Sequence, residues 1–200
     1  MKFFIVRHGD KEDGDFYNIA LRHQDPPLSE EGIQKAKRLA EYFRYRPIMS
    51  VITSEYLRTI QTAQYIVRDK NTRVYKDKRL NEIDNGIIES LCEEEIKEKY
   101  PEFWSDFSKG EKDVRFPGGE TGEEVKARQK HLIEELITND GDILLVSHEG
   151  YMRLLMCTLL DIPVYRRKLF KVDMCGIIEI EFDRVRNEWR IDKFNYTLGT

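Results

Sequence analysis

The sequence predicts an α/β fold, a three-layer α/β/α sandwich around a mainly parallel central sheet, and three observations carry that prediction. Short apolar runs such as FFIV at 3–6 and ILLV at 143–146 stop abruptly at polar or turn residues, as strands buried on both faces do. Segments with helical apolar spacing alternate with those runs. No internal repeat, low-complexity stretch or linker interrupts the 200 residues, and 40% apolar residues supply one sizeable core, so 1–200 reads as a single domain.

Taken in order, strands are expected at about 2–7, 49–53 and 143–147, with a weaker one near 73–76. Helices are expected at 30–45, 55–68, 91–100, 121–137 and 150–160. In PLSEEGIQKAKRLAEYF, Ser29 caps the first helix, acids fill its first turn, and Ile33, Ala36, Leu39, Ala40 and Phe43 share a face. Ser54 is expected to cap the second helix, and Thr121 opens TGEEVKARQKHLIEELI on the same logic. Near the end GIIEIEFD alternates, and EWRIDKFNY pairs with it across a turn at RVRN as a terminal antiparallel addition. The stretch at about 84–120, holding PEFWSDF and FPGGE, fits the alternation least and reads as an insertion covering the active site at one end of the sheet.

Composition narrows the partners. With 33 basic against 37 acidic residues, the net charge of -4 leaves no footprint for nucleic acid or an anionic membrane. No apolar run approaches the length of a membrane span, and the start MKFFIV is too short for a signal sequence, so a soluble, cytoplasmic protein is expected. Cys92, Cys157 and Cys175 are odd in number and form no CxxC pair, which argues against a disulfide framework or a zinc knuckle.

Chemistry gathers at the strand ends. In an open parallel sheet, ligands bind beyond the carboxyl ends of the strands. His8, with Arg7 before it and Gly9 after it, ends the first strand, and His148 ends the strand at 143–147. Gly9 permits close approach of the backbone to a ligand or a positive φ. Glu149 and Gly150 then open a helix whose first amides favour an anion. Arg58, one turn into SEYLRTIQTA, points to the same end. Two guanidiniums and two imidazoles around one point suit a phosphoryl group, through paired charge-assisted hydrogen bonds. Each of these residues alone would be unremarkable; their convergence makes the site.

In order along the chain, RHG, PLSEEG, SEYLRTIQTA, LNEIDNG, PGGET and VSHEG resemble the histidine phosphatase superfamily, in its phosphoglycerate mutase-like branch. The resemblance covers nearly the whole sequence. It implies that His8 is the nucleophile that becomes phosphorylated, that Arg7, Arg58 and His148 hold the phosphoryl oxygens, and that Glu82 protonates the leaving group. The physical reading agrees, since an imidazole with one nitrogen held by an acceptor is nucleophilic at neutral pH. Glu82 must then carry a proton, and Asp84 and Glu89 are the carboxylates expected to favour it. The sequence departs from the family pattern at Asp10, where Glu or Gln is usual, at Gly14, where Asn is expected, and at Ile88-Glu89-Ser90, where WEG is common. Asn18 is the nearest replacement for the missing phosphate contact, and Glu149 completes the expected substrate-binding set.

The expected function is a metal-independent phosphatase acting on a small-molecule phosphate ester, with no cofactor. A metal hydrolase is disfavoured because Met152 stands where SHEG would need a second histidine, and His23 and His131, expected at the surface, have no partners at ligand spacing. The rivals are a phosphoglycerate mutase and a catalytically silent phosphoryl-binding module. The first would carry longer loops; the second would have lost His8 or the acid. Between Asp84 and Glu120, eleven acids face five bases, so this segment is either an acidic lid that repels highly anionic esters or a helix pair with a solvated acidic face.

Overall fold

A computed structural model describes residues 1–199. Six strands form the central sheet: β1 (Lys2–Arg7), β4 (Ile48–Thr53), β5 (Val74–Lys76), β6 (Asp142–Ser147), β7 (Ile177–Asp183) and β8 (Glu188–Tyr196). Their order is β5-β4-β6-β1-β7-β8, with the first four parallel and β7 and β8 antiparallel. The architecture is thus the expected one, terminal antiparallel pair included, and Asn187 in the RVRN turn takes the left-handed conformation that such a turn requires.

Alternation along the central strands builds the layers. Phe3, Ile5, Ile143 and Leu145 point to one face and pack with Val125, Leu132, Leu154 and Leu155 of α5 (Gly122–Leu136) and α6 (Glu149–Leu159). Phe4, Val6, Leu144 and Val146 point to the other and meet Leu39, Phe43, Ala63 and Ile66 of α1 (Glu30–Phe43) and α2 (Leu57–Ile66). Ser29 accepts from the Gly32 amide and Thr121 from that of Glu124, as their cap positions imply.

The helix expected at 91–100 is α3 (Glu93–Lys99), which stops at Tyr100; α4 (Pro101–Lys109), which follows it through PEFWSDF, was not anticipated. Proline at the first helical position loses no hydrogen bond, and Gly110 ends α4 in the left-handed conformation. Ser54 does not cap α2, whose cap position is Tyr56 without a side-chain bond. A two-stranded hairpin, β2 (Tyr17–Asn18) with β3 (His23–Gln24), was not anticipated, because two residues per strand carry no periodicity. Among the described residues, no helix is long and apolar enough to cross a membrane.

Candidate active site

Register brings the two histidines together. Arg7 pairs with Ser147 in the β1–β6 ladder, so His8 and His148 leave the sheet side by side, their ring centroids 5.2 Å apart. Both are buried, at 5% and 0% exposure. Burial first and the Arg58 charge second push both imidazoles well below the ordinary histidine value, so both are neutral at physiological pH.

Hydrogen bonds assign the protons. His8 Nδ1 lies 2.7 Å from the Gly9 carbonyl, an obligate acceptor, so Nδ1 carries the hydrogen and Nε2 keeps its lone pair. That lone pair accepts from Arg58 Nε at 3.3 Å. Arg58 Nη2 stands 3.1 Å from His148 Nδ1, and since a guanidinium only donates, the His148 hydrogen is on Nε2. Nε2 gives it to Ser54 Oγ at 2.7 Å; Ser54 donates to Thr59 Oγ1 at 2.7 Å, and Thr59 to the Tyr56 carbonyl at 2.7 Å. Ser54, expected as a cap, instead fixes the tautomer of His148.

Arg58 is 8% exposed and spans both rings, with its guanidinium 4.4 Å over the face of Tyr56. Its Nη1 is buried without a hydrogen-bond partner; the closest carboxylate, Asp25, is 3.9 Å away. Arg7 donates from Nη1 to the Val172 carbonyl at 2.6 Å and pairs through Nη2 with Glu149 at 3.0 Å, while its Nε is also buried and unpartnered. Two orphaned guanidinium donors near a nucleophilic nitrogen suit an oxyanion.

Glu82 lies at the start of α6. Its carboxylate accepts from the amides of Ile83 (2.9 Å), Gly150 (3.0 Å) and Tyr151 (2.8 Å). The anion held by the first amides of α6 is therefore the protein's own glutamate, which revises the expectation of a free cradle there. Gly150 is required for this approach, because a Cβ would stand 2.6 Å from Glu82 Oε1. Asp84 and Glu89 are turned elsewhere: Glu89 bonds His23 at 2.6 Å, while Asp84 accepts from the Gly86 amide and lies 3.6 Å from His23. His23 is thus a partnered, largely buried side chain and not the surface residue expected, whereas His131 is exposed.

Asn18, Glu149 and Gly9 each have close partners within the protein. Asn18 spends its side chain on the hairpin, donating to Asp25 at 3.0 Å and accepting from Ala20 and Leu21, and Glu149 serves as an anchor for Arg7 and Arg153. Gly9 needs neither a ligand nor a positive φ: a Cβ there would meet the Gly32 carbonyl at 2.8 Å, where α1 begins. Sequence reasoning missed Asp25, which accepts from the Leu57 amide at 2.7 Å, and Arg128, which donates to the carbonyls of Arg79 and Glu82. It also missed Thr62, which takes the Gly9 amide at 3.1 Å; the i, i+4 spacing of Arg58 and Thr62 along α2 was the available signal. Among the described residues, no group of three or more His, Cys, Asp or Glu side chains is arranged to hold a metal.

The sequence matches the description "Histidine phosphatase superfamily (branch 1)" over residues 3–197. The chain belongs to that family. It is 33% identical over 192 residues to phosphoserine phosphatase 1 of Hydrogenobacter thermophilus, covering 94% of this chain and 89% of that protein. It is 30% identical over 187 residues to the probable phosphoglycerate mutase GpmB of Enterobacter sp. (strain 638), covering 91% and 85%. The alpha-ribazole phosphatase from Shigella flexneri superposes with a TM-score of 0.84 over 100% of this chain and 99% of that one, at 24% identity, a likeness of fold. The histidine phosphatase fold thus extends over essentially the whole chain, the 84–120 segment included. In that segment Glu93 pairs with Lys97, Glu95 with Lys99, Asp106 with Lys112, and Glu120 with Arg128. Three of its eleven acids are thus met by lysines of the same segment, and Glu120 by an arginine of α5.

Proposed function

We propose that the protein is a metal-independent phosphatase that hydrolyses a small phosphate monoester through a phosphohistidine on His8. The observation that carries this reading is the His8 tautomer: Nδ1 is tied to the Gly9 carbonyl, so the Nε2 lone pair faces Arg58 and its unpartnered N–H. In the first step Glu82 takes up the proton of a monoanionic ester, Nε2 attacks phosphorus in line, the P–O bond to the alcohol breaks, and Glu82 passes that proton to the leaving oxygen. Arg58 and Arg7 turn their free N–H groups to the phosphoryl oxygens, and His148, neutral in the free protein, takes a solvent proton on Nδ1 as the phosphoryl anion binds and joins them while Ser54 keeps hold of Nε2. In the second step water attacks the phosphohistidine, Glu82 takes its proton, and inorganic phosphate leaves with His8 restored.

The 84–120 segment caps this end of the domain as part of the same single unit, with Ile88 and Phe116 in the core. The balanced charge favours a small-molecule partner over nucleic acid or membrane, and free Cys92, Cys157 and Cys175 suit the reducing cytoplasm. Steady-state assay of His8→Ala tests the reading: phosphate release falls to background, while the wild type keeps full activity in EDTA. More than a few per cent residual kcat, or a chelator loss reversed by zinc or magnesium, would overturn it. Product analysis separates the mutase named among the relatives, which would return an isomerised ester in place of inorganic phosphate.

A further inference from the structure

Arg58 has two places to go. Its guanidinium reaches His8 at 3.3 Å and His148 at 3.1 Å, while its unpartnered Nη1 stands 3.9 Å from Asp25 Oδ1. Asp25 accepts from the Leu57 amide and from Asn18, two bonds that leave a carboxylate with lone pairs to spare. A small rotation of the guanidinium would therefore close the 3.9 Å gap to an ion pair and take Nη1 away from a phosphoryl oxygen. The guanidinium lies instead on an aromatic face, its carbon 4.4 Å from the centroid of Tyr56.

Tyr56 is held as a fixed platform. It is 5% exposed, its amide donates to Ser54 Oγ at 3.3 Å, and its carbonyl accepts from the Thr59 amide at 3.1 Å, the Thr59 hydroxyl at 2.7 Å and the Ile60 amide at 3.2 Å. With the backbone clamped, only the side-chain torsions remain, and neighbouring rings restrict those. His148 packs against Tyr56 at 4.9 Å and 75°, and His23, tied to Glu89, lies at 6.2 Å. Burial pushes the Tyr56 hydroxyl well above the ordinary tyrosine value, so Arg58 meets a neutral ring. A desolvated guanidinium on such a face is favoured by up to about thirtyfold.

We propose that Tyr56 is a positioning residue whose ring face holds Arg58 between His8 and His148, away from Asp25, and so keeps the guanidinium ready for a phosphoryl oxyanion. The inference rests on the part given to Arg58 in the phosphatase reading, so its test includes a measurement without turnover. Any fraction of molecules in which Arg58 has moved to Asp25 weakens the apparent affinity for the anion in proportion. Binding of inorganic phosphate is measured by calorimetry, and kcat/KM with nitrophenyl phosphate. Tyr56→Leu should weaken phosphate binding about tenfold, and Tyr56→Phe should recover it to within about twofold of the wild type, because the ring face and not the hydroxyl carries the contact. Phenylalanines with one, two and three ring fluorines, placed at position 56, then drain charge from the face with little change in size. Phosphate affinity and kcat/KM should fall in step along that series, to about fivefold below the Phe variant for three fluorines. Packing alone would give a flat series. Phosphate affinity that is constant from Phe to trifluoro-Phe would overturn the positioning role even if nitrophenyl phosphate is hydrolysed throughout. A stepwise loss of phosphate binding in a protein that hydrolyses no ester would support the positioning role and overturn the phosphatase.

Discussion

Ser54 shows how much of the site is decided by single hydrogen bonds. Its hydroxyl stands between His148 Nε2 and Thr59, and all three groups are buried. Ser54→Ala would strand the His148 N–H, a loss of about 1–3 kcal/mol, or let the ring change tautomer. We expect kcat/KM to fall about tenfold, with a shifted nitrogen resonance for His148 in NMR spectra; unchanged kinetics and an unchanged resonance would remove Ser54 from the account. Glu82 is tested by leaving group. Glu82→Gln should slow alkyl phosphates by roughly 10²-fold or more and nitrophenyl phosphate only modestly, because nitrophenolate departs without a proton. Equal losses on both, with chemistry rate-limiting, would make Glu82 a positioning residue.

At the scale of elements, the site is held by close backbone contacts. Gly150→Ala would place a methyl 2.6 Å from Glu82 Oε1 and force the carboxylate from the α6 amides. Alkyl phosphatase activity should drop with it while the unfolding midpoint moves little; wild-type turnover would show that the Glu82–α6 bonds are dispensable. The central strands were legible because their apolar runs are continuous, and α1 and α5 because their caps are written in the sequence. The hairpin was not, because its strands are two residues long, nor was α4, because Pro101 reads as a breaker until its position as the first helical residue is known. The residue set His8, Arg7, Arg58 and His148 was readable from strand ends and spacing. The partners that fix it, Ser54, Thr62, Asp25 and Arg128, were not, because they act through contacts between elements distant in the chain.

For the whole molecule, the buried histidines link folding to pH. Burial and Arg58 lower both folded-state values, so below about pH 6.5 the unfolded chain binds protons that the native state does not. Stability should be full above that pH and fall below it, by about 1.4 kcal/mol per pH unit for each histidine. Urea midpoints between pH 7.5 and 5 would measure this, and His8→Gln should halve the slope; a flat profile would contradict neutral burial of the pair. Glu179 acts in a lower window. Burial pushes its carboxyl up, but bonds from Lys2 at 2.7 Å and Lys193 at 3.0 Å outweigh that and hold it below its ordinary value. Its contribution is present above about pH 4.5 and is lost as the pH falls through the folded value.

The central claim is that one nitrogen, His8 Nε2, carries the phosphoryl group between the alcohol and water. Rapid acid-free quenching during turnover of a phosphate monoester, followed by peptide mass spectrometry, tests it most directly. The account predicts an acid-labile, alkali-stable phosphoryl group on the His8 peptide, attached at Nε2, that forms and decays at rates compatible with kcat and is absent from His8→Ala. Turnover without any phosphorylated His8, or with the phosphoryl group on His148 or another residue, would contradict it.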